Sequence, residues 1–364
     1  MITKKLPINY DNQLNGECWT FYKFSILNTS EIAKSWLATH VEFYINENMC
    51  GGYGDPDGDY YRMRYYSDIL SFEQISASDT IPEKIVRVIH DEIEKGRYVI
   101  LYLNFNRLDG TEGVFLHELL VYGYDDERKI CYCPFLINGK FKEVEIPFDL
   151  IQKGYEDARN LYLDDGWRLL VNRSFYFGIT SLKIRDDYRN DNWVADYIDK
   201  IDHEVQGKRI IQIDVCSKEA EERTIYTGNA CLSGLSVFLD KFITDEFMPD
   251  NVSWRLIRTL KMMHDYRTLF VSSIEWFLQM VNGENNKALL NVLIEYKKCA
   301  DSVQRCYLLL CKYMQTQDIH LIESIKNVLD ELHQKERSIL SDYRELIWPY
   351  YYEMNGVPMP PEDE

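Results

Sequence analysis

Apolar positions fall into two regimes along the chain, and the change comes near residue 188. Before it, short β-rich runs alternate with helical patterns. Ser30 to Asn46 and Ile81 to Lys95 carry apolar residues at helical spacing, the second with Pro82 near its start, where a missing N–H costs nothing. Arg97 to Asn104 is rich in β-branched and aromatic residues and predicts a strand. Phe115 to Asp126 and Ile130 to Pro134 predict two more, joined by the turn formers of Gly123-Tyr124-Asp125-Asp126-Glu127. Asn138-Gly139 is the favoured two-residue hairpin turn, and Phe175 to Ile184 predicts a further strand. Helices first and sheet after is the order of an α+β fold.

After the polar stretch 185–192 the pattern turns helical. Trp193 to Val205 predicts a helix, Arg209 to Val215 a strand and Ala230 to Ile243 another helix. Three long helices are expected from Ser253 onward, with Gly283 at the first join. Leu289, Val292, Leu293, Tyr296, Ala300, Val303, Tyr307 and Leu310 make one apolar stripe; Ile325, Val328, Leu332, Ile339 and Tyr343 mark the last helix. Short connections predict an antiparallel bundle. The expected division is a mixed domain over 1–188, a mostly helical domain over 189–352 and a disordered tail over 353–364.

Composition narrows the function. A net charge of −18 argues against nucleic acid, whose phosphates require clustered Lys and Arg. It permits a cationic amine as substrate. The start Met-Ile-Thr-Lys-Lys-Leu-Pro lacks an apolar signal region, and no segment reaches membrane-spanning length, so a cytoplasmic chain with no membrane partner is expected. The nine cysteines are irregularly spaced, which fits reduced thiols better than a disulfide framework. The acidic loop Asp55-Pro56-Asp57-Gly58-Asp59 has Tyr60 and Tyr66 where a calcium loop needs Gly and Glu, so no metal is expected there.

Chemistry concentrates at two places. Cys18 follows a Gly-containing turn and heads a predicted helix, where unpaired N–H groups favour a thiolate and can hold an oxyanion. His117 opens a strand about a hundred residues later and is the candidate base. His117-Glu118 is not a zinc-protease motif, because Val121 stands where the second His is needed.

The stretch Asn12-Gln13-Leu14-Asn15-Gly16-Glu17-Cys18-Trp19-Thr20-Phe21 resembles the nucleophile region of papain-like cysteine enzymes. His117 with Gly-Tyr-Asp after it and a short return strand resembles the histidine hairpin of papain-like and bacteriocin-processing peptidases. The layout of such a half followed by Tyr226-Thr227-Gly228 and a helical bundle is similar to the family of the butirosin side-chain acyltransferase, which includes the closthioamide amide synthetase.

That resemblance implies a papain-like cysteine-protease fold with a C-terminal helical bundle domain. It implies Cys18 as nucleophile and His117 as general base and acid, with Gln13 or Asn12 as the oxyanion donor. The residue aligned to orient the imidazole is Cys133, with Asn138 and Asp125 as nearby substitutes. The implied reaction is an amide synthesis of the nonribosomal peptide type. An acyl or peptidyl group would pass from a phosphopantetheinyl carrier-protein thioester, through a Cys18 acyl-enzyme, to a small amine. The partners implied are an acyl or peptidyl carrier protein and that amine, with no resident cofactor. A cysteine peptidase or thioesterase of the same fold, or an inactive binding protein, are the alternatives.

Overall fold

The computed structural model describes residues 3–12, 14, 18–53, 66–76, 79–163, 178–214, 221–245 and 250–356. Gln13, the acidic loop 55–59 and the tail from 357 lie outside the described residues. The chain is a mixed α+β protein with a helical C-terminal region.

In chain order the elements begin with strand β1 (Thr3–Lys5), helices α1 (Cys18–Leu27) and α2 (Ile32–His40), and strands β2 (Phe43–Asn46), β3 (Gly51–Tyr53) and β4 (Leu70–Ser76). A tight turn over Pro82–Lys84 leads into α3 (Ile85–Glu94), then β5 (Tyr98–Asn104), α4 (Phe105–Asp109), β6 (Leu116–Val121) and β7 (Gly123–Asp125). Next come β8 (Ile130–Ile137), β9 (Lys140–Pro147), α5 (Phe148–Leu163), β10 (Gly178–Ile184) and α6 (Trp193–Gln206). The remainder is β11 (Arg209–Asp214), β12 (Glu221–Thr227), α7 (Ala230–Asp245), α8 (Asp250–Met280), α9 (Lys287–Thr316) and α10 (Ile319–Asn355).

Two compact units result, 1–34 with 59–188, and 35–58 with 189–364. Segment 35–58, read from sequence as part of the first domain, therefore belongs to the second unit. The single helix expected over Ser30 to Asn46 is instead α2 followed by strand β2. Phe43, Tyr44 and Ile45 find pairing partners on β3, and Tyr44 and Ile45 also pair with β12, so ladder bonding overrides the helical spacing.

The first unit is built on two antiparallel sheets, ordered β4-β10-β5-β6 and β1-β7-β8-β9. β6 runs on into β7 through Tyr122, so one extended stretch feeds both sheets. Val99, Leu101, Leu103, Leu119, Val121 and Ile179 from the first sheet share a core with Cys131, Cys133 and Ile146 from the second. Ile85, Ile89 and Ile93 of α3 and Ile151 and Tyr155 of α5 close that core. On the opposite face Ile100, Tyr102, Leu120 and Leu182 are also buried, and α1 packs against β6 and β10. Phe21 of α1 stacks on Phe141 of β9 with ring centroids 3.6 Å apart. Burying such a ring contributes roughly 2–3 kcal/mol, which fixes the helix that carries Cys18 at its head.

The second unit joins a sheet ordered β11-β12-β2-β3 to helices α6 to α10. The apolar stripe of α9 runs through Cys299 and Cys306 and leaves Tyr307 half-exposed. In α10 the buried positions are Ile322, Ile325, Leu329, Leu332, Glu336, Leu340, Tyr343 and Ile347, not Val328 and Ile339. The helix continues to Asn355 and ends on Gly356 in a left-handed conformation, so 353–355 belong to it and not to a disordered tail. Among the described residues no helix is long and apolar enough to cross a membrane.

Buried charges lie in this unit as well. Lys200 donates to the Ala38 carbonyl at 2.7 Å, and the Tyr266 hydroxyl donates to Glu204 one helical turn along α6. Burial pushes the Glu204 carboxyl up to about 7 from an ordinary 4.5, with Glu42 and Glu336 adding to the rise. A carboxyl whose pKa is raised by folding stabilises the fold fully below its unfolded value, and that contribution is lost as pH rises through the folded value. Melting temperature is therefore expected to fall between about pH 4.5 and 7 through this group. Glu204→Gln, followed by thermal melts across that range, is expected to remove this part of the slope.

Candidate active site

Cys18 is the first residue of α1, where the opening N–H groups of a helix have no partner within it. Tyr22 lies one turn further along the same helix face. Its buried hydroxyl donates to the Glu118 carbonyl at 3.2 Å, tying the head of α1 to strand β6. The same hydroxyl has the Cys18 thiol within hydrogen-bonding reach. Burial pushes the Tyr22 phenol well above its ordinary value, and the neighbouring Cys18, Glu118 and Cys133 add to the rise. Three positions far apart in sequence, 18, 118 and 133, therefore act on one buried tyrosine.

His117 is the second residue of β6 and pairs with Leu103 of β5. Strand alternation turns it to the side of Leu119 and Val121, in the shared core. Its ring packs against Phe105 and Phe115, at centroid distances of 5.1 and 5.6 Å, and Phe135 stacks on Phe105 behind it. Nδ1 lies 3.0 Å from the Glu118 carbonyl oxygen and 3.3 Å from Glu118 Oε2. Both neighbours only accept hydrogen bonds. The proton of the neutral ring is thus assigned to Nδ1, and Nε2 keeps its lone pair as a base.

Asn12, six residues before Cys18, is 4 % exposed. Both its Oδ1 and Nδ2 are buried without a hydrogen-bond partner among the described residues. A buried amide left unpaired costs about 1–3 kcal/mol, so its donor is available to a ligand oxygen. The competing candidate, Gln13, lies outside the described residues.

The candidates for orienting His117 fare differently. Cys133 is fully buried and pairs with Val144, and burial first, then Cys131, pushes its thiol well above the ordinary range. It is a neutral S–H, a weak partner for an imidazole. Asn138 needs correcting as a candidate. It sits with Gly139 at the exposed tip of the β8–β9 hairpin, both at positive φ (52° and 74°), because that turn requires them there. The Asp125 carboxylate is committed to the Thr3 hydroxyl and the backbone N–H groups of Glu127 and Arg128, which hold its pKa down. Sequence reasoning missed Glu118 and Tyr22. Strand alternation points Glu118 to the α1 side, which marks it only once α1 is known to lie there.

An open groove of about 600 Å³ lies elsewhere in the first unit, lined by residues including Ser67, Ser71, Phe72, Lys183 and Arg185. Its lysine and arginine are paired with Asp186 and Asp187. None of Cys18, Tyr22, His117 or Glu118 lines it. The candidate residues sit on α1 and β6, which pack against each other, but the described contacts of His117 are with Glu118, Phe105 and Phe115 and not with Cys18. A scan against protein-family models finds no match for this chain, and a comparison with curated proteins finds none.

Proposed function

We propose that the chain is a cysteine-dependent acyltransferase of papain-like fold, forming amides from carrier-bound thioesters. The observation that carries this reading is the tie between Cys18 at the head of α1 and the strand of His117, made through Tyr22 and Glu118. What supports it is a thiol at the head of a helix, an imidazole whose Nδ1 faces an acceptor and a buried amide upstream.

In this reading Cys18 attacks the thioester carbonyl. The developing oxyanion is held by the Cys18 N–H and the Asn12 amide. The thiol of the carrier arm departs with a proton from His117. The imidazole then takes a proton from the incoming amine as it attacks the acyl-enzyme, releasing the amide and restoring Cys18. A thioester is already activated, so no nucleotide is consumed. Amine outcompetes water where the site positions it and excludes solvent. The same dyad using water would be a peptidase or thioesterase. A thioester demands less of the base than an amide does, which favours the synthetic reading where Cys133 replaces the usual orienting carboxylate or amide.

The test is intact-protein mass spectrometry after exposure to acyl thioesters. An adduct discharged by amines faster than by water supports the acyltransferase; one discharged mainly by water makes it a hydrolase. Asn12→Ala is expected to slow adduct formation about a hundredfold, the usual effect of removing one oxyanion donor. Stopped reactions analysed by mass would check it. A change under twofold would leave Asn12 without that role.

A further inference from the structure

We propose that the end of the β8–β9 hairpin, with Phe115 beside it, is the docking surface for the carrier protein, a partner presenting acidic side chains next to apolar ones. The inference rests on the reading of this chain as an acyltransferase fed by a carrier-bound thioester. In the hairpin register Cys131, Cys133, Phe135 and Ile137 of β8 pair with Ile146, Val144, Lys142 and Lys140 of β9. Strand alternation places these side chains on one face. The face begins in the core, where Cys131, Cys133 and Ile146 are buried, and emerges into solvent at Ile137, Lys140 and Lys142. None of these residues is acidic. Glu143 and Glu145 lie on the opposite face, where Lys5 and Arg128 hold them.

The two lysines differ from other cations of the first unit. Lys4, Lys5, Arg107, Arg128 and Lys153 each meet a carboxylate. Among the described residues Lys140 and Lys142 have neither an ion pair nor a hydrogen-bond acceptor. In a chain of net charge −18 they make a local reversal of sign, which attracts an acidic partner to this face while the rest of the surface repels it. Apolar surface adjoins them. Phe135, the pairing partner of Lys142, stacks on Phe105 at 5.3 Å, and Phe105 meets both Phe115 and His117. Phe115 is 53 % exposed, and Ile137 is exposed as well. Exposed apolar side chains rimmed by charge are the make-up of an interaction site. His117, which gives the departing carrier thiol its proton in the proposed reaction, stands at the inner end of this aromatic row.

The experiment measures Cys18 acylation by mass spectrometry with two donors: an acyl group on a purified acidic acyl carrier protein, and the same group on free pantetheine. Lys140→Glu with Lys142→Glu is expected to raise the half-saturating carrier concentration about tenfold or more, with the maximal rate kept within about twofold. The pantetheine donor lacks a protein surface and is expected to react as with wild type. Ile137→Ser is expected to weaken the carrier alone, by roughly threefold. Lys84→Glu, at an exposed lysine ahead of α3, is expected to change neither donor. Acylation from pantetheine alone, or an unchanged half-saturation after the reversal, would leave the acyltransferase in place and overturn the docking surface. An equal loss with both donors would overturn it too, since the lysines would then act on the reaction itself. If neither donor acylates Cys18, the acyltransferase reading fails and the docking surface falls with it. Sedimentation is expected to give the wild type and Ile137→Asp the same mass. A dimer that this substitution dissociates would seat a second copy on the face and exclude the carrier.

Discussion

Cys18→Ala is expected to abolish the acyl adduct outright, with turnover falling on the order of a thousandfold or more. Removing Sγ leaves α1 in place, because Phe21, Phe24, Ile26 and Leu27 remain buried and Phe21 stays stacked on Phe141. Asn12 keeps its amide. The variant should therefore still bind a thioester and still fold, while lacking the only atom that can form the covalent intermediate. Mass spectrometry with the acyl thioester reads the first expectation, and a thermal melt within a degree or two of wild type reads the second. Persistence of an adduct in Cys18→Ala would mean that another cysteine is acylated. Cys131 and Cys133 are unsuited, since burial pushes the Cys131 thiol up to about 12 and that of Cys133 well above its ordinary range.

The second large effect lies in the other unit. Arg267 and Glu336 face each other between α8 and α10 with side chains 3 % and 1 % exposed. The guanidinium donates from Nε to Oε2 at 3.1 Å and from Nη2 to Oε1 and Oε2 at 3.1 and 2.9 Å. The Tyr296 hydroxyl from α9 donates to Oε1 at 3.2 Å, so three helices meet on one carboxylate. Arg267→Met leaves Glu336 charged and unpaired in the core, a loss of about 3–5 kcal/mol. Denaturant unfolding is expected to show that loss as a lower midpoint. The double variant Arg267→Met with Glu336→Leu should recover most of it, because an apolar pair of similar volume carries no desolvation penalty. Failure of the double variant to recover would mean that Tyr296, left without its acceptor, carries more of the cost than the ion pair.

The candidate site was half legible in the sequence. Cys18 and His117 stand at a helix head and a strand start, positions that local spacing marks, and the structure puts them on those elements. The orienting group was not legible. Counting along the return strand leads to Cys133, and a search of neighbouring turns leads to Asn138, yet one is packed in the core and the other caps a hairpin in solvent. The one carboxylate oxygen close to the ring, Glu118 Oε2 at 3.3 Å from Nδ1, belongs to the next residue in the chain, where such a search does not look. Adjacent strand residues point to opposite faces, so a pairing between them is not expected from period alone.

The sequence by itself determined the elements whose signals are local. These are the β5 strand, the hairpin turn at Asn138-Gly139, α3 with its Pro82 start, and the long helices α8 to α10. Each depends on dihedral preference or on periodicity within one segment. Only the tertiary structure decided what depends on partners distant in the chain. β2 is a strand because β3 and β12 lie beside it, and segment 35–58 joins the second unit for the same reason. The stripes of α9 and α10 shift by one position to Cys306, Leu329 and Leu340 because the facing helices select which residues are covered. Glu336 sits in such a stripe, against every rule of hydropathy, because Arg267 and Tyr296 from two other helices satisfy its charge. Burial and charge compensation are properties of the assembled core, and no single segment carries them.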